Sequence, residues 1–330
     1  MIDRSRTLGK ISDEEASLSG EHTNPRPLIV VAICTFHRNG PLRLLLDALA
    51  RIADRERDTM AIGVAVVDDS ADRQAQPVTV DFVERFEHGL TYRHSGKRNI
   101  AAARNLALET ALEMGAQWIA MTDDDCEPAE NWLNELLQVQ RKFDADVVTG
   151  PLRRRAPDHA PLWLRSQPFL NVTAFQAETG ASMQTAFTNN SMISAEVLRQ
   201  DPQLRFDLAF GRIGGEDMVF YRAIAKSGHR IVFAADALVF ENEEDERLTF
   251  SYQMRRHFWV GNSSVRTSLK NGASKSRMAV HGLAGLPRAL RRPITRMIGG
   301  ERPQFLYCLA QIMESCGKLA GAAGMEVKHK

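Results

Sequence analysis

Asp123, Asp124 and Asp125 follow the apolar run Trp118-Ile119-Ala120-Met121, with only Thr122 between. Like charges this close repel and raise one another's pKa. A strand that ends in three of them needs something positive nearby, and a divalent cation, which takes oxygen ligands, is the usual remedy. The spacing points to a strand that delivers Asp123 and Asp125 to a metal carrying a phosphorylated ligand. Asp124 is expected to point away, because alternate strand residues face opposite sides. Capping of a following helix accounts for one acid here but not for three.

The elements that must position this triplet read as alternating strands and helices. Leu28-Ile29-Val30-Val31-Ala32-Ile33-Cys34 is the continuous β-branched pattern of a strand buried on both faces. Asn39-Gly40-Pro41 marks a helix start, and Leu42, Leu45, Leu46 and Leu49 follow at helical spacing. A strand over 61–67 ends in Asp68-Asp69-Ser70. A helix is predicted over 78–87, a short strand over 90–93, and a helix over 99–114 closed by Gly115. After the strand at 118–121 come a helix over 128–143 and a strand over 146–150. Residues 151–186 read as an irregular excursion over the active face. Strands over 187–193 and 229–233 flank a helix over 216–227, and the last eighty residues read as amphipathic helices. Such alternation predicts an α/β fold with a mostly parallel central sheet flanked by helices and a helical C-terminal extension. Ligands of these sheets bind beyond the carboxyl ends of the strands. Thr35, Asp68/Asp69 and Asp123/Asp125 all fall at that edge.

The 330 residues carry 42 Lys and Arg against 41 Asp and Glu, so no global field argues for nucleic acid. The exception is the stretch 251–303, with eleven Lys or Arg and one acid, Glu301. Such a segment favours an anionic surface such as a membrane face or an acidic glycolipid, or else forms a solvated basic face. Cys34, Cys126, Cys308 and Cys316 show no metal-like spacing and read as reduced thiols of a cytosolic protein. The polar first 26 residues read as a disordered tail rather than a secretory leader. No apolar run approaches the ~20 residues of a membrane span. The expected organisation is a tail (1–26), a main domain (27–250) and a basic amphipathic helical region (251–330).

Five ordered elements resemble those of the family 2 inverting glycosyltransferases, and within them the bacterial exopolysaccharide glucosyltransferases of the succinoglycan type. Val30-Val31-Ala32-Ile33-Cys34-Thr35-Phe36-His37-Arg38 resembles the family's opening strand, with Cys34 in place of a proline and His37 of an asparagine. Val66-Val67-Asp68-Asp69-Ser70 resembles its Val-Val-Asp-Asp-Gly-Ser without the glycine. Asn99-Ile100-Ala101-Ala102-Ala103-Arg104-Asn105 resembles its Ala-Arg-Asn element. Asp123-Asp124-Asp125 matches its Asp-x-Asp motif, and Gly214-Gly215-Glu216-Asp217 its Glu-Asp element.

The resemblance implies a GT-A fold, a UDP-sugar donor and inversion at the anomeric carbon. It places Thr35 and Asp69 on the nucleobase and ribose, where a carboxylate accepting a buried N–H makes a strong, charge-assisted bond. Arg104 is placed near the nucleotide or its diphosphate, Asp123 on the ribose or a metal-bound water, and Asp125 on Mn2+ or Mg2+. Asp217 is the expected catalytic base, since inversion in one displacement needs a carboxylate beside the acceptor hydroxyl. Glu216 would orient the acceptor or the loop. Lys97 and Arg98 either reach phosphate or form a solvated pair, and Asn189 and Asn190 are within sequence reach of the donor sugar. Gln253-x-x-Arg256-His257 is similar to the Gln-x-x-Arg-Trp motif of processive members. His257 replaces the tryptophan, and transfer of one sugar per acceptor is expected. Trp163, Phe169 and Phe175 either line an acceptor groove or pack a core. The implied substrates are a UDP-hexose, with glucose expected, and a lipid-linked or polysaccharide acceptor. The implied place is the cytoplasmic face of the membrane, in cell-surface glycan synthesis.

Other readings fit fewer residues. A nucleotidyltransferase wants a Gly-rich, Arg-containing loop where Thr35-Phe36-His37-Arg38-Asn39 stands, and a dehydrogenase wants GxGxxG there. An aspartyl phosphatase would explain Asp123 alone. A degenerate nucleotide- or glycan-binding module would release no nucleotide with any acceptor.

Overall fold

The computed structural model describes residues 26–170 and 176–327; the expected N-terminal tail, apart from Arg26, and Phe175 lie outside the described residues. At its centre is β1 (Leu28–Thr35), and its alternation decides the layering. Ile29, Val31 and Ile33 face one apolar layer, while Val30 and Ala32 face the other. The first layer is built by α1 (Asn39–Arg55), whose Leu42, Leu45, Leu46 and Leu49 are buried as their spacing requires. β1 is flanked by β2 (Ala61–Asp68) on one side. The chain then makes the short α2 (Gln76–Val80) and a 3-10 turn over Val83–Arg85. The single helix expected over 78–87 is therefore broken. Phe82 and Phe86 both turn into the core here, and Phe86 is already extended before the next strand.

That strand, β3 (Leu90–His94), is followed by α3 (Ile100–Glu113) and β4 (Trp118–Met121). Asn99 caps α3 by accepting the Ala102 N–H at 3.1 Å. The small buried faces of Ala101, Ala103, Ala107 and Ala111 let α3 lie close on the sheet. Next come β5 (Cys126–Pro128), α4 (Trp132–Phe143), β6 (Val147–Thr149), β7 (Leu152–Arg155), α5 (Leu162–Arg165), β8 (Ser182–Met183), β9 (Ser191–Ser194) and α6 (Ala195–Gln200). Pro128, expected to open a helix, instead ends β5, an edge strand where its missing N–H leaves no ladder bond unmade. Among its described residues the irregular middle thus contains two short strands and a helical turn.

The remaining elements are α7 (Glu216–Lys226), β10 (Ile231–Phe233), β11 (Val239–Asn242), α8 (Phe250–Lys270), α9 (Lys275–Ile298) and α10 (Phe305–Ala322). The main sheet runs β3-β2-β1-β4-β9-β6-β10-β8. Its first four strands are parallel, and β9 runs against both β4 and β6. A second sheet, β5-β11-β7, stands beside the acidic edge; β11, unforeseen from the sequence, lies in its middle. α8 and α10 touch backbone to backbone: a Cβ on Gly261 or Gly317 would fall 2.0 Å from a carbonyl oxygen of the other helix. In α9, Pro293 has no N–H to bond the Ala289 carbonyl, and the buried Cys308 thiol of α10 donates to that oxygen at 3.1 Å instead.

Candidate active site

β1, β2 and β4 lie side by side and in register, so their carboxyl ends open onto one cleft. Asp68 is wholly buried and spent on the turn after β2. It accepts from the N–H groups of Ser70 and Ala75 and from the Tyr92 hydroxyl. Asp69 accepts three backbone N–H bonds, from Lys97 and Arg98 on Oδ1 and from Asn99 on Oδ2 at 2.7 Å. It therefore holds the loop that leads into α3 and keeps one lone pair of Oδ2 for a ligand. Thr35 donates to Asp124 Oδ2 at 2.8 Å, so its hydroxyl hydrogen is committed to the acid triplet.

The triplet is neutralised by arginines from three elements. Asp123 Oδ1 accepts from Arg104 of α3 at 3.1 Å. Asp124 accepts from Arg38 at 3.0 Å, and Asp125 Oδ2 accepts from both Arg38 and Arg247 at 2.9 Å. Asp124 thus does not point idly away; it bridges the end of β1 to Arg38. Burial pushes its carboxyl up to about 7, against the pull of Arg38. Desolvation also raises Asp123, with Arg104 opposing and Asp125 adding to it.

Each outer carboxylate keeps one oxygen clear of its arginine. Asp123 Oδ2 lies on a side chain 41% open to solvent, and Asp125 Oδ1 meets only the Cys126 thiol at 3.9 Å. Among the described residues, no group of three or more His, Cys, Asp or Glu is placed to hold a metal ion by itself. The two oxygens the arginines leave clear, one on Asp123 and one on the Asp125 side chain, which is 6% exposed, are those that fit Mg2+ or Mn2+ in its open mode, completed by water and phosphate.

Across the cleft, Gly214 and Gly215 both adopt positive φ, 85° and 89°, and Gly215 caps α7. α8 closes over them: a Cβ on Gly214 would meet the Trp259 ring at 2.2 Å. This turn aims Glu216 and Asp217 back toward β4. Glu216 is buried and pairs through Oε1 with Arg104, while its Oε2 is buried without a hydrogen-bond partner. Arg104 therefore bridges Asp123 to Glu216, and buried carboxylates hold its guanidinium firmly charged. Asp217 is half-buried and accepts only its neighbour Met218's N–H, at 2.7 Å. Burial first, and Glu216 beside it second, push its carboxyl up to about 7. A carboxylate so placed can take a proton near neutral pH.

The remaining candidates divide between the cleft rim and the core. Asn190 is fully buried, donating to the carbonyls of Pro151 and Ala237 and accepting from the Trp132 indole; it latches the core. Asn189 is half-buried beside it. Lys97 and Arg98 are exposed, and Arg98 lies over the Phe36 ring. Gln253 donates to the Arg247 carbonyl, Arg256 pairs with Glu243, and His257 reaches Glu314. That motif thus supports the arginine–acid lattice. Phe169 and Trp163 pack edge to face in a small core with Leu248 and Ala310.

Sequence reasoning assigned no role to Arg247, Glu241 or Glu243. Arg247 joins Asp125 to Glu241, linking the two sheets at the cleft. The signal was the acid-rich run Glu241 to Glu246 followed directly by a single arginine, Arg247.

The family model described as Glycosyl transferase family 2 matches residues 30–201. The chain is 29% identical over 241 residues to the succinoglycan biosynthesis protein ExoM of Rhizobium meliloti (strain 1021), covering 72% of this chain and 74% of that protein. Its fold is similar to S. aureus TarS residues 1–349. The TM-score is 0.51 with 12% identity to the UDP-GlcNAc complex, over 88% of this chain and 89% of that one. Against the UDP complex it is 0.50 with 14% identity, over 90% and 92%. A GT-A sheet whose strand ends gather the Asp-x-Asp triplet, matched by the family model over more than half its length, makes this chain a member of glycosyltransferase family 2.

Proposed function

We propose that the protein transfers a hexose, glucose in the first instance, from a UDP-sugar to a lipid-linked or polysaccharide acceptor, with inversion and one sugar at a time. ExoM's role in succinoglycan biosynthesis and TarS's binding of UDP-GlcNAc support the substrate classes. Residues 27–250 would form the transfer unit and 251–330 the extension that seats it. No described helix is long and apolar enough to cross a membrane; the place proposed is the inner membrane face.

The observation that carries this reading is the placement of Asp217, a half-buried carboxyl in the first turn of α7 that accepts only the Met218 N–H, across the cleft from the acid triplet. Asp217 takes the proton of the acceptor hydroxyl as that oxygen bonds the anomeric carbon. The bond to the diphosphate breaks, and the electron pair leaves with the nucleotide. Arg104 holds Glu216 and Asp123 in register, so base and donor face each other. Glu216 orients the acceptor side. Asp69, through its remaining lone pair, and Thr35, through its oxygen, contact the nucleoside. Asp123 and Asp125 would hold Mn2+ or Mg2+, which supplies charge stabilisation to the departing diphosphate.

Calorimetric titration of UDP with and without Mn2+ tests the donor site. Wild type should bind UDP more tightly with the metal, and Asp125→Asn should lose that increment. An equal metal effect in both would remove Asp125 from the metal site.

A further inference from the structure

α9 carries two unpartnered faces. Met278, Gly282, Ala289 and Pro293 are buried against the other two C-terminal helices. Val280, Leu283, Leu290, Ile294 and Met297 recur at the spacing of one helical stripe, and each is more than half exposed. The next exposed arc holds Arg277, Arg288 and Arg291, which pair with no carboxylate among the described residues. The helix has six Lys or Arg and no acid. Beside the arginine arc, a groove of about 440 Å3 between α9 and α10 is lined by Arg288, Arg291, Arg292 and Lys318. The one acid lining it, Glu314, is held by His257 and by Lys318 at 2.6 Å, and His257 above all drives its carboxyl down to about 2.

An apolar stripe flanked by cations is the pattern of a helix lying in a lipid–water interface. We infer that α9 seats on an anionic phospholipid surface, with Leu290 and Ile294 in the acyl boundary and the lipid phosphates against Arg288 and Arg291 in the α9/α10 groove. A neutral partner would leave the arginines unmatched, and free phosphate would leave the apolar stripe in water; an anionic bilayer meets both. The inference rests on the reading of the acceptor as lipid-linked. α9 packs on α10 and α10 on α8, whose Trp259 covers Gly214 before Asp217. Seating α9 would thus tether α8, and the turn it covers, to the membrane.

Co-sedimentation of the full chain tests this, with vesicles of phosphatidylcholine alone and mixed with phosphatidylglycerol. Wild type should bind only the anionic vesicles, and less as salt rises. At about fivefold per arginine, Arg288→Ala with Arg291→Ala should lower the partition about 25-fold. Leu290→Glu with Ile294→Glu should abolish it. These side chains are exposed, so both variants should keep the wild-type melting temperature. Unchanged partition in both variants overturns the inference. So does wild type that ignores both vesicles, or a Leu290/Ile294 variant that merely turns a dimer into a monomer. UDP titration on the same preparations separates the readings: failure there breaks the donor site and leaves the vesicle result standing.

Discussion

The strand-end cleft and the C-terminal helices are both rich in charge, and they handle it in opposite ways. In the cleft, every arginine near the triplet is shared between carboxylates: Arg38 between Asp124 and Asp125, Arg104 between Asp123 and Glu216, Arg247 between Asp125 and Glu241. On α9, Arg277, Arg288 and Arg291 stand free of carboxylates among the described residues, beside exposed leucine and isoleucine. Buried charge is tolerated only when paired, so the cleft is a fixed lattice whose members depend on one another. Surface charge carries no such demand and can be kept for something outside the chain. The contrast separates residues that must be right for the site to exist from residues that decide where it works.

That contrast can be broken or sharpened by substitution. The largest effect belongs to Asp217. Its replacement by Asn should leave folding intact and cut turnover by about 10²–10⁴-fold, the range for loss of a general base. Next is Arg104→Ala, which strands Glu216 and Asp123 without their shared cation. Removing one partner of a buried pair costs about 3–5 kcal/mol, which chemical denaturation should show directly. The paired Arg288→Ala, Arg291→Ala change should cost almost no stability, since exposed side chains away from a network usually move it by about 0.5 kcal/mol or less. If both arginine experiments gave equal destabilisation, the two regions would not differ as described.

A smaller, graded effect concerns pH. The Asp217 carboxyl, raised to about 7, must be ionised to act, so kcat/KM should climb about tenfold per pH unit below 7 and level off above it. The linkage to stability has the opposite sense. A carboxyl raised in the fold contributes stability below its ordinary range and loses it as pH rises through about 7. A flat rate profile between pH 5 and 8 would take Asp217 out of the base role.

The cleft was legible in sequence where chemistry forces residue type. Thr35, Asp69, Asp123 and Asp125 lie at one edge because parallel strands put their carboxyl ends together, and Arg104 of α3 ties Asp123 to Glu216 at the start of α7, beside Asp217. What could not be read was mutual pairing. Asp69 is engaged by three amides of a loop some thirty residues on, and Thr35 and Asp124 bond across 89 positions. Periodicity is blind to such long-range contacts. The same blindness hid β11 and Arg247, which matter only through what they face. Asn190 was misplaced for the converse reason: a polar residue near a predicted cleft reads as a ligand, yet its amide satisfies buried carbonyls. The C-terminal basic stretch was evident from composition, but its exposed apolar stripe emerged only when packing showed which face α9 buries.

The central claim is that this cleft transfers a sugar with Asp217 as base. It is tested most directly by following UDP release from UDP-glucose, with a lipid-linked saccharide acceptor, in wild type and Asp217→Asn alongside UDP binding by each. The account predicts equal UDP binding and release only in wild type. Release at the wild-type rate by Asp217→Asn would contradict it.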